Sequence, residues 1–156
     1  MILADNIKKS NILIKPKSKN RWELIDEMVN IALKNNEIPA EHIDSIRKSL
    51  IEREKSMSTG IGNNVAIPHC TSSKITDIII IMTINKNGID FDSIDNQPVK
   101  IAILLLVPKN KLTQHIKTLA NIARMMSDTG LREKLLTIKT PEGVIKTLKN
   151  YKDQKK

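Results

Sequence analysis

One cysteine, Cys70, in 156 residues cannot close a disulfide within the chain. That excludes a disulfide-stapled scaffold and fits a reducing compartment. Aromatic side chains are as scarce. Trp22, Phe91 and Tyr151 are the whole supply, too few to build a stacking platform for bases. The longest apolar runs, residues 78–82 and 101–107, fall far short of the ~20 residues that span a bilayer. Asp5, Lys8 and Lys9 interrupt the N-terminal segment before it reaches the length of a secretory signal. Acidic residues number 17 against 26 Lys and Arg, leaving +9 at pH 7. Such a balance can attract nucleic acid or anionic lipid. The cations are nevertheless spread along the chain, apart from a tail of Lys152, Lys155 and Lys156. The expectation is a cytoplasmic protein with no membrane insertion and no specific nucleic-acid binding.

Apolar residues make up 40% of the chain and are mostly Ile, Leu and Val, enough for one core in one domain. Residues 12–14 predict a short strand ended by Pro16. With Ser18 as N-cap, Ile25, Met28, Val29 and Ala32 recur at helical spacing until Asn35-Asn36 and Pro39 break the helix. A second helix is predicted over about 40–55, with Ile43, Ile46 and Leu50 on one face. Residues 76–84 and 99–107 are β-branched apolar runs, as in strands buried on both faces. Asn87-Gly88 predicts a tight turn into a further short strand near 89–91. A long helix follows over about 111–127, then shorter ones near 131–136 and 141–151, with Pro141 in the last one's first turn. Helices before, between and after buried strands imply an α/β domain whose sheet is covered on both faces, a three-layer α/β/α arrangement. Nothing divides the chain: one domain spans 1–156, with an ordered core over about 1–150 and a basic tail over 151–156.

The most informative segment is Ser58-Thr59-Gly60-Ile61-Gly62-Asn63-Asn64-Val65-Ala66-Ile67-Pro68-His69. Small and hydroxyl residues around close glycines leave backbone amides open, and nests of amides bind phosphate without a charged side chain. The amides of Thr59, Gly60, Ile61 and Gly62, with the hydroxyls of Ser58 and Thr59, are therefore candidates for a phosphate cradle. Pro68 fixes its own φ and biases Ile67 toward extended geometry, so the backbone entering His69 is stiff. Arg53 falls on the side of the second helix that carries Ile43, Ile46 and Leu50, where a guanidinium needs an anionic partner. His115 lies in line with Leu112, Leu119, Ile122 and Met126, in a helix's first turn, where anions are favoured.

Each residue taken singly has a plainer reading. Arg53 can pair with a carboxylate or with the last carbonyls of its own helix, His115 can be a satisfied core histidine, and His69 a loop histidine before a turn. Gly60-Ile61-Gly62 lacks the third glycine of a dinucleotide site, and no Gly-Lys-Ser/Thr sequence marks a P-loop. Cys70 beside His69 is a tolerated small side chain rather than half of a metal site, since no ligand cluster of recognised spacing exists. Asp95-Asn96-Gln97-Pro98 is a turn leading into a buried strand. No cofactor and no metal is expected.

Glu52-Arg53-Glu54 followed by the segment ending at His69 resembles the active-site signature of fructose/mannitol-type enzyme IIA domains of the bacterial sugar phosphotransferase system. The likeness continues through residues 88–99, which are most similar to the nitrogen-regulatory branch, and reaches Leu105-Leu106-Val107-Pro108 and the helix of His115. The resemblance implies that the central sheet is mixed. It also implies that His69 is the phosphorylated histidine, with Arg53 and His115 as its phosphate-site partners. The donor would be a small histidine phosphocarrier protein charged from phosphoenolpyruvate through enzyme I. The output would be regulatory, through target proteins of the nitrogen type. The alternatives are a sugar-transport role that passes phosphate to a IIB component, and a binding module with the same fold and no phosphotransfer. A basic nucleic-acid adaptor is a weaker third.

Overall fold

The computed structural model describes residues 3–151. The tail lysines at 152, 155 and 156 lie outside the described residues. A short helix, α1 (Leu3–Asn6), precedes strand β1 (Ile12–Ile14) and helices α2 (Arg21–Lys34) and α3 (Ile43–Ser56). Three short strands follow, β2 (Gly60–Gly62), β3 (Val65–Ala66) and β4 (His69–Ser72). The long strands β5 (Ile79–Ile89) and β6 (Val99–Pro108) lead into helices α4 (Leu112–Met126), α5 (Thr129–Thr137) and α6 (Pro141–Asn150).

The six strands form one mixed sheet in the order β1-β5-β6-β3-β2, with β4 also pairing with β6. β1 runs parallel to β5, β5 antiparallel to β6, and β3 and β4 parallel to successive stretches of β6. Side chains alternate across the pleat. Ile80, Met82, Ile103, Leu105 and Val107 face a core closed by α1, α4, α5 and α6. Ile79, Ile81, Ala102, Leu104 and Leu106 face a second core closed by α2 and α3. The two central strands are thus apolar on both faces, which is why they read as unbroken hydrophobic runs. Arg47 on α3 ties back to Asp26 on α2 at 2.8 Å.

Several expectations need correction. The N-cap of α2 is Asn20, whose side chain accepts the Glu23 N–H, while Ser18 Oγ donates to Glu27 at 2.5 Å. Asn87-Gly88 does not open a separate strand. β5 runs on through it with an irregularity, and Ile89 still pairs with Val99. Gly88 takes φ +77° there, with Pro98 so close that a side chain would collide. Residues 60–66, expected as a loop, form a hairpin between β2 and β3. Asn63 and Asn64 at its tip both adopt positive φ, as a tight two-residue hairpin turn requires. His69 opens a strand rather than ending a loop.

Candidate functional site

β4 pairs His69 with Leu105 and Cys70 with Leu106. Leu105 belongs to the core under α4, while Leu106 and Cys70 belong to the core under α3. His69 therefore projects on the α4 side of the sheet and Cys70 on the other. The His69 ring is half-buried, and its Nδ1 lies 2.8 Å from the carbonyl oxygen of Ile67. A carbonyl only accepts, so Nδ1 carries the hydrogen and Nε2 keeps a free lone pair.

Burial pushes the His69 imidazole below its ordinary proton affinity; the Ile67 bond works against this, Arg53 lowers it further, and Glu54 raises it. Arg53 is thus within electrostatic reach of His69. It sits in the last turn of α3 and donates through Nη1 to the Met57 carbonyl at 2.7 Å, closing its own helix end.

His115 is buried one turn into α4, with Nδ1 3.4 Å from Thr118 Oγ1. Its proton affinity is lowered by burial and by Lys111. Because α4 covers the face on which His69 projects, both imidazoles lie on one side of the sheet. Leu112, expected in the buried stripe with His115, is exposed; the stripe is instead His115, Thr118, Ile122, Met125 and Met126.

Of the predicted phosphate cradle, the Ser58 and Thr59 hydroxyls and the Thr59 and Gly60 amides bond within the protein. Thr59 N–H and Oγ1 both donate to the Glu54 carboxylate, at 3.0 and 2.5 Å. Ser58 Oγ donates to the Phe91 carbonyl and receives the Gly60 N–H at 3.0 Å. These donors are taken by acceptors within the protein, the Glu54 carboxylate among them, and hold the loop together. Gly60 passes so close to Ser93 that a Cβ would collide with its Oγ, so only glycine fits. Asn63 N–H donates to Asp95 at 2.9 Å, docking the 92–97 loop on the hairpin.

Glu54 is the residue that reading the sequence missed. It follows Leu50 by four residues and Ile46 by eight, which places it on the buried stripe better than Arg53.

Both lowered imidazoles have a consequence for stability. Each stays neutral in the native protein while the unfolded chain takes up a proton near the ordinary value of 6.5. Their contribution is fully present above that pH and is lost as pH falls toward the depressed native values. Urea midpoints are expected to be level from pH 7 to 8 and lower at pH 5.5. A His69→Gln, His115→Gln double variant should flatten that fall.

The family model of the phosphoenolpyruvate-dependent sugar phosphotransferase system, EIIA 2, matches residues 5–151. This chain belongs to that family. The nitrogen regulatory protein of Pseudomonas aeruginosa is 33% identical over 127 residues, covering 81% of this chain and 80% of that one. The fructose-specific EIIABC component of Bacillus subtilis is 24% identical over 97% of this chain, which spans only 24% of that relative's length. Among solved structures, the nitrogen regulatory protein IIA-Ntr of Neisseria meningitidis superimposes with a TM-score of 0.85 at 26% identity, covering 95% of this chain and 99% of that one.

Five large apolar side chains are exposed among the described residues. Met57 and Ile61 flank the loop, Ile94 lies beside Gly62, and Leu112 and Ile116 bracket His115; all are exposed, Ile94 to 85%. Cys70 is buried, and its thiol is pushed up to about 12. Among the described residues no group of three or more His, Cys, Asp or Glu could hold a metal, and no helix is long and apolar enough to cross a membrane.

Proposed function

We propose that this EIIA chain is a cytoplasmic histidine phosphocarrier that accepts a phosphoryl group on Nε2 of His69 from a phosphorylated histidine carrier protein. The observation that carries the reading is the Nδ1 to Ile67 carbonyl bond, which leaves the lone pair of a half-buried ring on Nε2. That lone pair attacks phosphorus; the new N–P bond forms as the donor's N–P bond breaks, and the donor imidazole keeps the leaving electron pair. The protein has mainly to position the donor and stabilise charge on the equatorial oxygens. Arg53 supplies a permanently charged fork for those oxygens, and His115, on the same side of the sheet, supplies a further hydrogen bond. The exposed apolar side chains by the loop and on α4 suit docking of a protein donor.

The output is regulatory, acting on target proteins as phosphorylation switches affinity. Supporting this are the 33% identity to a nitrogen regulatory protein and the IIA-Ntr likeness along nearly the whole chain. A second reading, transfer to a IIB component in sugar uptake, draws on the fructose-specific EIIABC relative.

The test is incubation with radiolabelled phosphoenolpyruvate, enzyme I and the carrier protein. An acid-labile, base-stable label on the chain is expected. No label, with partners that charge a known IIA, rules the phosphocarrier out. Adding a fructose- or mannitol-type IIB then separates the outputs: retention of the label supports regulation, and discharge supports transport.

A further inference from the structure

A buried carboxylate within electrostatic reach of His69 has no part in the transfer chemistry. Glu54 is 2% exposed, in the last turn of α3. A charge there is costly unless it is paired, and here it is paired on every side. Its Oε2 accepts the Thr59 N–H at 3.0 Å and Arg21 Nη1 at 3.2 Å, and its Oε1 accepts the Thr59 hydroxyl at 2.5 Å. Arg21 also donates to the Phe91 carbonyl at 2.9 Å and lies 4.4 Å over the Trp22 ring.

From Thr59 the connections run on to the histidine. The Thr59 carbonyl accepts the Ile67 N–H at 3.0 Å. The Ile67 carbonyl, at the other end of the same residue, accepts His69 Nδ1–H at 2.8 Å. Pro68 holds Ile67 extended, so the bond that fixes its N–H also fixes the direction of its C=O. The Thr59 N–H, Ile67 N–H and His69 links are hydrogen bonds of ordinary length, the Thr59 hydroxyl bond is shorter, and the chain of contacts starts at a carboxylate, whose hydrogen bonds are the strong kind.

We infer that Glu54 is a positioning residue for His69: acting through Thr59 and Ile67, it sets the carbonyl that holds the imidazole in the Nδ1–H form with Nε2 free. This deepens the phosphocarrier reading, and it rests on His69 as the acceptor. Its charge has a second effect, opposing that of Arg53 at the ring. The glycine-rich loop is therefore a tether between a buried carboxylate and His69, and the Thr59 hydroxyl serves that tether.

The decisive measurement is the ¹⁵N spectrum of the His69 imidazole in the unphosphorylated protein, which needs no partner. Wild type is expected to show one tautomer, with hydrogen on Nδ1. Glu54→Gln puts an amide N–H₂ where an acceptor is needed, and Thr59→Val deletes the hydroxyl. Both are expected to give a mixture with the Nε2–H form, and a rate of phosphoryl acceptance lower by about ten-fold or more, the scale set by a misplaced reacting group. Thr59→Ser should restore both readouts.

A folded Glu54→Gln with the wild-type tautomer overturns the inference. So does a Thr59→Ser that behaves like Thr59→Val. If Glu54→Gln does not fold, the Thr59 pair decides alone. Should wild type refuse phosphate yet show a tautomer that responds to Glu54, the phosphocarrier reading fails and the positioning role stands.

Discussion

His69→Ala is expected to accept no phosphoryl group, with labelling reduced at least about a thousand-fold, as when a covalent nucleophile is removed. Neither His115 nor Cys70 is placed to take its position. His115 is buried, with Nδ1 turned to Thr118, and it is locked inside α4. Cys70 faces the opposite core, and its thiol, pushed up to about 12, is un-ionised at neutral pH. Because the His69 ring is half-buried on a short strand, its loss leaves the central strands and both cores intact. The variant should therefore match wild type in circular dichroism and thermal midpoint, so that lost labelling reports chemistry. A variant that still takes an acid-labile label would move the acceptor elsewhere, with His115 the first place to look. Arg53 should not rescue the reaction, since a guanidinium stabilises phosphoryl oxygens but has no lone pair to attack phosphorus.

The same geometry shows which parts of the molecule could be read from sequence. The central strands were legible because β5 and β6 are apolar on both faces, and the long helices because one face repeats at helical spacing. The family signature carried the mixed sheet and pointed to His69, Arg53 and His115. Local competition hid the rest. Ser18 and Asn20 are both good caps, and Asn20 prevails by exchanging bonds with Glu23, three residues on. Asn87-Gly88 has the composition of a turn, but β6 continues opposite it, so the glycine is absorbed as an irregularity inside the ladder. Strands as short as Val65–Ala66 have too few residues to show a period. The loop was misread for a different reason. Composition reveals that Ser58 and Thr59 have donors, but it does not reveal that Glu54 and the Phe91 carbonyl already take them.

Phe91→Ala is expected to be the most damaging single change to stability outside the site. Phe91 is 0% exposed in the core under α2 and α3, and it is the one phenylalanine in the chain. Truncating a buried phenylalanine costs about 3–5 kcal/mol through lost burial and the cavity left behind. Against a total of about 5–15 kcal/mol that is a large share, and for a domain of this size it lowers the melting temperature by about 10 °C. Phe91→Leu, which refills most of the space, should cost less. The consequence reaches the site because the Phe91 carbonyl receives both Arg21 Nη1 and Ser58 Oγ. The ring thus anchors the backbone on which the Arg21–Glu54 pair and the loop are hung. In Phe91→Ala, measured at a temperature where it remains folded, His69 should lose part of its single tautomer as well as global stability. A thermal midpoint within about 2 °C of wild type would mean that the ring contributes little packing. An unchanged tautomer with a lowered midpoint would show that the loop is held by Glu54 without help from this anchor.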